Sequence, residues 1–447
     1  MLLKGAPHIM RPLSFVMPHD PSMRPVWMIR LGLFLYDHLA RREVLPGSRT
    51  VELHAHAAGA PLKREFTKGF VYSDGWVDDA RLVVLCAVDA AERGATILTR
   101  TACVDAVRGA DHWQARLETA RGGTLQVAAR CLVNAAGPWA AQFLSAHAHA
   151  AEHVHLRLVK GSHIVVPRLF EHDHAYIFQN VDRRIIFAIP YEGDFTLIGT
   201  TDVEHHGAIG DAHADAGEIE YLCAQASRYF SRPVTPAQVV WTYSGVRPLL
   251  DDESGNPAAV TRDYRLELDR GAGAPLLSVW GGKITTFRKL AEEAADLLGP
   301  ALSELHLGDA WTAAAPLPGG DLRGFLGDGA PPPAAVTTIF ERFVEALRER
   351  FPQVDPRLVR AFARRYGTRA VPLLADGLGA EIAPGVFTGE LAHLRAHEWA
   401  RTGDDVLWRR TKLGLHLDAA GRAAVEAWMA VQEEDARAFG AEGVGLA

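Results

Sequence analysis

An α/β fold interrupted by an antiparallel sheet and followed by an all-helical C-terminal unit is predicted by three features of this 447-residue sequence. The first is a strand–turn–helix unit. Leu276 to Trp280 is an apolar run of strand length, Gly281 and Gly282 permit a sharp turn, and Phe287, Leu290, Ala291, Ala294 and Leu298 recur at helical spacing. The second is a change of texture between Leu156 and Asp202, where LRLVKGSHIVVP, AYIFQN, RIIFAIPY and FTLIGTTD alternate between Gly, Pro and Asp breaks, as antiparallel strands do. The third is a Gly-, Pro- and Ala-rich stretch from 299 to 333, followed by helical patterns to the end of the chain. The expected organisation is a first domain over 1–298 with a sheet inserted at about 151–250, a linker over 299–333, and a helical domain over 334–447.

In chain order, the opening Met1 to Asp20 is broken by Pro7, Pro12 and Pro18 and lacks the long apolar core of a signal peptide. Val26 to Leu39 is the most apolar early segment, but it is too short to span a bilayer and carries Arg30 and Asp37. A buried helix is expected there, with contact to a membrane surface as the alternative. From Phe70 to Ala136 an α/β module is expected: a helix within 73–94 capped by Asp78 or Asp79 and ended by Gly94, a strand in 95–108, then a hairpin and a return strand over 112–137. Glu218 to Phe230 reads as helical. The C-terminal helices are TTIFERFVEALRERF, DPRLVRAFARRYG, ELAHLRAHEWA and a last one from about Asp418 to Phe439. No internal repeat is present.

Composition narrows the function. Hydrophobic residues make up 48% and charged residues 23%, as in an ordinary globular protein with real cores. A net charge of −7, with no basic stripe for phosphate neutralisation, argues against nucleic acid as a partner. Cys86, Cys103, Cys131 and Cys223 have no CxxC spacing, so an iron–sulfur or zinc cluster is not expected and reduced thiols in the cytoplasm are. His205 and His206 have no third ligand at sensible spacing, so no metal is expected. Lys283, Arg288 and Lys289 crowd the start of the 287–298 helix, unfavourable by roughly 0.3–1 kcal/mol each unless an anion lies nearby. For Arg288 and Lys289, exposure to water is the competing reading.

GVRPLLDDESGNPAAVTRDY followed by SVWGGKITTFRKLAEEAAD closely resembles the FAD-dependent glycerol-3-phosphate dehydrogenases, the respiratory enzymes that oxidise glycerol 3-phosphate to dihydroxyacetone phosphate. The resemblance continues through LRLVKGSHIVVP, FAIPYEGDFTLIGTTD, VNAAGPWA and EWARTGDDVLWRRTKLGL, and so spans nearly the whole chain. It implies a flavoprotein of the glutathione-reductase or D-amino-acid-oxidase kind with FAD as cofactor, electrons passed to a quinone, and peripheral attachment to the inner face of the cell membrane. A homodimer is left open. The family's GxGxxG unit and its Gly-Gly-Leu-Arg-Tyr segment are missing; a start codon placed too late or a truncated gene is the expected cause. Two alternatives stand beside the dehydrogenase: a flavin-deficient, inactive remnant, and an amine or amino-acid oxidase of the same architecture.

Oxidising a phosphorylated secondary alcohol takes cations for the phosphate, a base for the hydroxyl proton and a hydride acceptor, which no side chain can be. Arg247 and Arg262 are the expected phosphate clamp, because guanidinium offers a planar pair of donors. The competing reading is an ion pair with Asp251, Asp252 or Asp263. The resemblance adds Lys283 close to substrate and flavin, and His163 as the base, since imidazole titrates near working pH. It also implies that the strand at Cys103 and Val104 passes the adenine. Asn134, Ala136, Gly137 and Trp139, with Gly281, Gly282, Lys283, Thr285 and Thr286, would border the dinucleotide. A plain strand-to-helix turn is the other reading of Gly137. Gly199, Thr200, Thr201 and Asp202 are expected to close a turn near the pocket, with the Asp as a cap.

Overall fold

The computed structural model describes residues 2–20, 25–38, 45–150, 154–182, 184–250, 263–271, 273–302, 308–330 and 336–438. Its strands up to residue 281 are β1 (Met10–Pro18), β2 (Arg49–Glu52), β3 (Lys68–Val77), β4 (Thr101–Arg108), β5 (Trp113–Thr119), β6 (Thr124–Ala129), β7 (Leu132–Asn134), β8 (Leu156–Pro167), β9 (Ala175–Gln179), β10 (Ile185–Tyr191), β11 (Phe195–Gly199), β12 (Val203–Glu204), β13 (Trp241–Leu250), β14 (Tyr264–Asp269) and β15 (Leu276–Gly281).

The alternating stretch folds as its period-2 pattern dictates. β8, β11, β10 and β9 form antiparallel pairs in that order, and β13 runs antiparallel along the other edge of β8. Ile164, Val166, Phe178, Ile186 and Ile198 project from one face into a core closed by Leu222, Cys223, Ala226 and Tyr229 of the Ala216–Tyr229 helix. On the opposite face Val165, Leu197 and Trp241 pack against Trp408 and Leu415 of the C-terminal part, with the Trp241 and Trp408 rings stacked at 4.7 Å. The sheet is larger than its sequence signal. β1 joins it parallel to β9 and pairs with β3 from Met10↔Val77 to Pro18↔Gly69, and β2 follows on β3. The prolines that masked this strand lie opposite glycine, Pro12 against Gly75 and Pro18 against Gly69, while Val16 and Met17 are buried.

The nucleotide-type layer is β14–β15–β7, in which β15 and β7 are parallel with Leu276↔Leu132 and Ser278↔Asn134 in register. A three-stranded meander, β4–β5–β6, packs beside it through buried Trp113 and Trp280. β4 begins only at Thr101, later than the expected 95–108, because Arg100 adopts a left-handed φ of +55°. The Asp79–Glu92 helix is capped by Asp78, whose side chain accepts from the Arg81 backbone N–H.

Two expectations are corrected. The Val26–His38 helix is not buried: Val26, Ile29 and Leu33 rest on Met17, Phe70 and Ile177, but Trp27 (65%), Phe34 (53%) and Leu35 (57%) are exposed. The segment is apolar on both sides and finds a protein partner for only one. Nor is all of 299–333 a spacer. Leu322, in the Leu322–Leu326 helix, is buried in the C-terminal core with Phe343 and Phe362, and the Leu317 N–H donates to the Gly5 carbonyl.

The helical domain is built on the Val336–Arg350, Pro356–Tyr366, Thr388–His397 and Ala419–Ala438 helices. It is fastened to the first domain by a buried ion pair in which both Arg81 Nη atoms donate to the Glu398 carboxylate. Removing one partner strands a charge in a low-dielectric site. Glu398→Ala should therefore lower stability by about 3–5 kcal/mol, read as the shift of a urea unfolding midpoint.

Candidate active site

β8 is hydrogen-bonded on both edges, so the alternation of its side chains is fixed. His163 faces Tyr243 across to β13 and Gly199 across to β11. Its ring stacks on Tyr243 at 4.8 Å and 7°. A Cβ on Gly199 would fall 2.1–2.7 Å from ring atoms of His163, so only glycine leaves room for the imidazole there. Burial, then the charge of Arg247, push the imidazole down to about 4, and its Nδ1 is buried with no partner among the described residues. His163 is consequently neutral at physiological pH, not titrating near it as the sequence suggested.

Arg247 stands on β13 two alternations from Tyr243 and on the same face. Its Nη1 donates to Asp202 Oδ1 at 2.5 Å and its Nη2 to Thr200 Oγ1 at 3.2 Å. A Cβ on Gly161 would lie 2.7 Å from Nη2 and 2.9 Å from Cζ, so the guanidinium occupies the space that glycine leaves beside β8. An ion pair was foreseen for this arginine, and Asp202, expected as a turn cap, is one carboxylate that accepts from it. Thr200 Oγ1 does bond backbone, donating to the Thr201 carbonyl. Arg262, Asp251 and Asp252 lie outside the described residues.

The loops after β7 and β15 emerge together, because those strands are parallel and neighbouring. The carboxyl ends of parallel strands are where open α/β layers take ligands. On the β7 side, buried Asn134 donates from Nδ2 to the Ala140 carbonyl and accepts from the Ala136 N–H, which shapes the turn carrying Gly137 and Trp139. Gly137 has φ +56° and open space where a Cβ would be; Trp139 is exposed. On the β15 side Gly281 (φ +65°) and Gly282 (φ +100°) turn the chain, and a Cβ on Gly281 would sit 3.6 Å from the Pro248 carbonyl, next to Arg247. Lys283 and Thr285 are exposed, and Thr286 Oγ1 donates to the Lys283 carbonyl. Bare backbone on two adjacent loops at the carboxyl ends of parallel strands fits a dinucleotide cofactor.

One further sequence reading changes. The α-helix begins at Phe287 after a 3₁₀ turn over Ile284–Thr286, and Arg288 is paired within its own helix, donating to Glu292 Oε1 at 2.5 Å and to Thr312 Oγ1 at 3.1 Å. It does not wait for an anion. Cys103 and Val104 stand on β4 of the meander, where the Val104 carbonyl is 2.9 Å from His147 Nδ1. Tyr243 and Gly161 were missed, and Gly199 was foreseen only as part of a turn. The repeat of Trp241, Tyr243, Gly245 and Arg247 at every second residue was the available signal for the first of them.

Residues 2–288 match a family of FAD-dependent oxidoreductases, and residues 310–436 match the C-terminal domain of alpha-glycerophosphate oxidase. The D-erythritol 1-phosphate dehydrogenase of Brucella abortus is 46% identical, over 96% of this chain and 84% of its own. The glycerol-3-phosphate dehydrogenase of Pseudomonas aeruginosa is 48% identical, over 93% of this chain and 79% of its own. The crystal structure of the glycerol-3-phosphate dehydrogenase from Bacillus halodurans, complexed with FAD, superposes with a TM-score of 0.74 at 25% identity, covering 97% of this chain and 80% of that one. With its neutral histidine and gripped arginine on one sheet face beside two glycine-bearing loops, the chain belongs to the FAD-dependent oxidoreductases and, within them, to the glycerol-3-phosphate dehydrogenases.

Proposed function

We propose that the protein oxidises sn-glycerol 3-phosphate to dihydroxyacetone phosphate and that its electrons pass to a quinone. The observation that carries this reading is the placing of His163 and Arg247 on one face of β8 and β13, close enough for Arg247 to depress the histidine. Arg247 binds the phosphate, with Arg262 and Lys283 as the other cations of the clamp. His163, already neutral, takes the C2 hydroxyl proton. FAD, when bound, supplies the acceptor for the hydride that leaves C2. The residues that would hold it are Asn134, Ala136, Gly137 and Trp139 on one loop and Gly281, Gly282, Lys283, Thr285 and Thr286 on the other, with Cys103 and Val104 toward the adenine.

The substrate's own charge matters to the base. Burial is the larger cause of the depressed histidine and Arg247 the second, and a phosphate dianion on Arg247 offsets that second cause and so raises the basicity of His163 when substrate is present. A second substrate follows from the relative in Brucella: a four-carbon polyol phosphate offers the same phosphate and a secondary hydroxyl. Turnover of glycerol 3-phosphate and of D-erythritol 1-phosphate, compared on one preparation, decides between them.

Among the described residues no helix is long and apolar enough to cross a membrane. The exposed Trp27, Leu31, Phe34 and Leu35 of the Val26–His38 helix suit a peripheral site on the inner membrane face, near a lipid-soluble acceptor.

The purified protein should be yellow, with flavin bands bleached by glycerol 3-phosphate; a colourless protein unchanged by added FAD would refute the reading. Arg247→Ala should raise KM about 10- to 100-fold, the worth of a charge-assisted phosphate contact, and an unchanged KM removes Arg247 from the clamp. The acid limb of kcat/KM due to His163 should lie near pH 4 in free enzyme, and Arg247→Met should move it upward. The same histidine, with a folded value below its unfolded 6.5, contributes stability that is fully present above pH 6.5 and lost as pH falls toward 4. Separately, Phe34→Asp should abolish co-sedimentation with phospholipid vesicles while leaving the circular dichroism spectrum intact.

A further inference from the structure

The face of β8 opposite His163 carries a second polar constellation. Glu218, at the start of the Ala216–Tyr229 helix, is buried, and its carboxylate accepts from Ser162 Oγ (2.9 Å), Thr201 Oγ1 (2.7 Å) and the Asp215 N–H (3.1 Å) and pairs with Lys160 Nζ (2.8 Å). Ser162 Oγ is also 2.8 Å from Ser244 Oγ on β13, and the Ser162 N–H donates to Thr201 Oγ1 at 2.9 Å.

Placed along the chain, these residues interleave with those that touch Arg247. Lys160 and Ser162 flank Gly161, which leaves the space that the guanidinium occupies. Thr201 lies between Thr200 and Asp202, the two residues that accept from it. Every residue that fixes Arg247 from β8 and from the 199–202 turn is therefore next to one anchored on Glu218. Because strand side chains alternate, the anchors lie behind the sheet while the gripped cation lies in front.

We propose that Glu218 is a positioning residue for Arg247, setting the phosphate-binding guanidinium through the backbone of β8 and the 199–202 turn without touching substrate. The carboxylate suits the place because it sits in the first turn of a helix and is matched by a lysine. Hydrogen bonds on all sides hold it to one rotamer, and that rigidity passes to Gly161, Thr200 and Asp202. The inference rests on Arg247 being the phosphate ligand for its kinetic consequence, but not for the positioning itself.

Two measurements separate these. The Nε–Hε signal of Arg247, assigned by its loss in Arg247→Lys, should shift and broaden in Glu218→Gln and in Thr201→Val, which keeps the shape and deletes the hydroxyl that joins Glu218 to the Ser162 N–H. The second measurement is kinetic. Both variants should weaken glycerol 3-phosphate about 10-fold in KM with kcat changed less than about 2-fold. Glu218→Asp should recover part of the loss. Glu390→Gln, a buried carboxylate of the helical domain bonded to Arg365 and Tyr366, serves as the control and should lower thermal stability without moving either readout. An unmoved Arg247 signal in Thr201→Val, or an equal KM change in Glu390→Gln, overturns the proposal. A moved signal in an enzyme whose wild type ignores glycerol 3-phosphate would keep the positioning and discard the substrate.

Discussion

A strand hydrogen-bonded along both edges can neither slip nor turn over, and β8 is such a strand. Its alternation decides what each of its residues can do. Ile164 and Val166 must enter the core under the Ala216–Tyr229 helix, so His163 and Val165 must face the other way. A slip by one residue would put the imidazole into the apolar core under the helix and move Ile164 and Val166 out of it. The active-site face is thus specified by hydrophobic burial on the face behind it. The two glycines, Gly161 and Gly199, complete the constraint: at both positions a side chain would occupy the volume now filled by Arg247 or His163.

The electrostatics of that face depend on one cation held by one carboxylate. Arg247 and Asp202 are each about one-third exposed, so the pair is worth little to stability. Its significance is geometric. Asp202 and Thr200 occupy Nη1 and Nη2 and hold the plane of the guanidinium, leaving the remaining donor positions to an incoming oxyanion. A free arginine would carry the side-chain entropy of an unfixed rotamer into every binding event; a held one has lost it on folding.

What the sequence made legible follows from which signals are local. The β8–β11 strands, the Asp78 cap and the Gly281–Gly282 turn were readable because alternation, capping chemistry and glycine each act over a few residues. β1 was not: its partners, β3 and β9, lie over fifty residues away, and its prolines argue locally against a strand although glycines accommodate them across the ladder. The Val26–His38 helix misled for the same reason, since hydrophobicity says a segment should be covered but not whether the chain itself provides the cover. At the site, residue types were legible and pairings were not. Arg247 was identified, yet Asp202 as its partner comes from a turn 45 residues earlier, and Glu292, one helical turn after Arg288, was the local partner overlooked.

The depressed histidine gives the arrangement its logic. A base kept neutral by burial and a nearby cation is ready to accept a proton, but it holds one poorly while that cation is offset by Asp202 alone. Phosphate binding would offset it further. In the proposed reaction the phosphate, one carbon and an ester oxygen away from the reacting C2, would therefore also strengthen the base, which is one physical route by which binding energy outside the reacting bond reaches the chemical step. A dephosphorylated alcohol would lose twice under this scheme, once in affinity and again in proton transfer. That coupling requires Arg247 to stay within electrostatic reach of His163 on the same rigid ladder, and a sheet face can provide that distance more reliably than a loop.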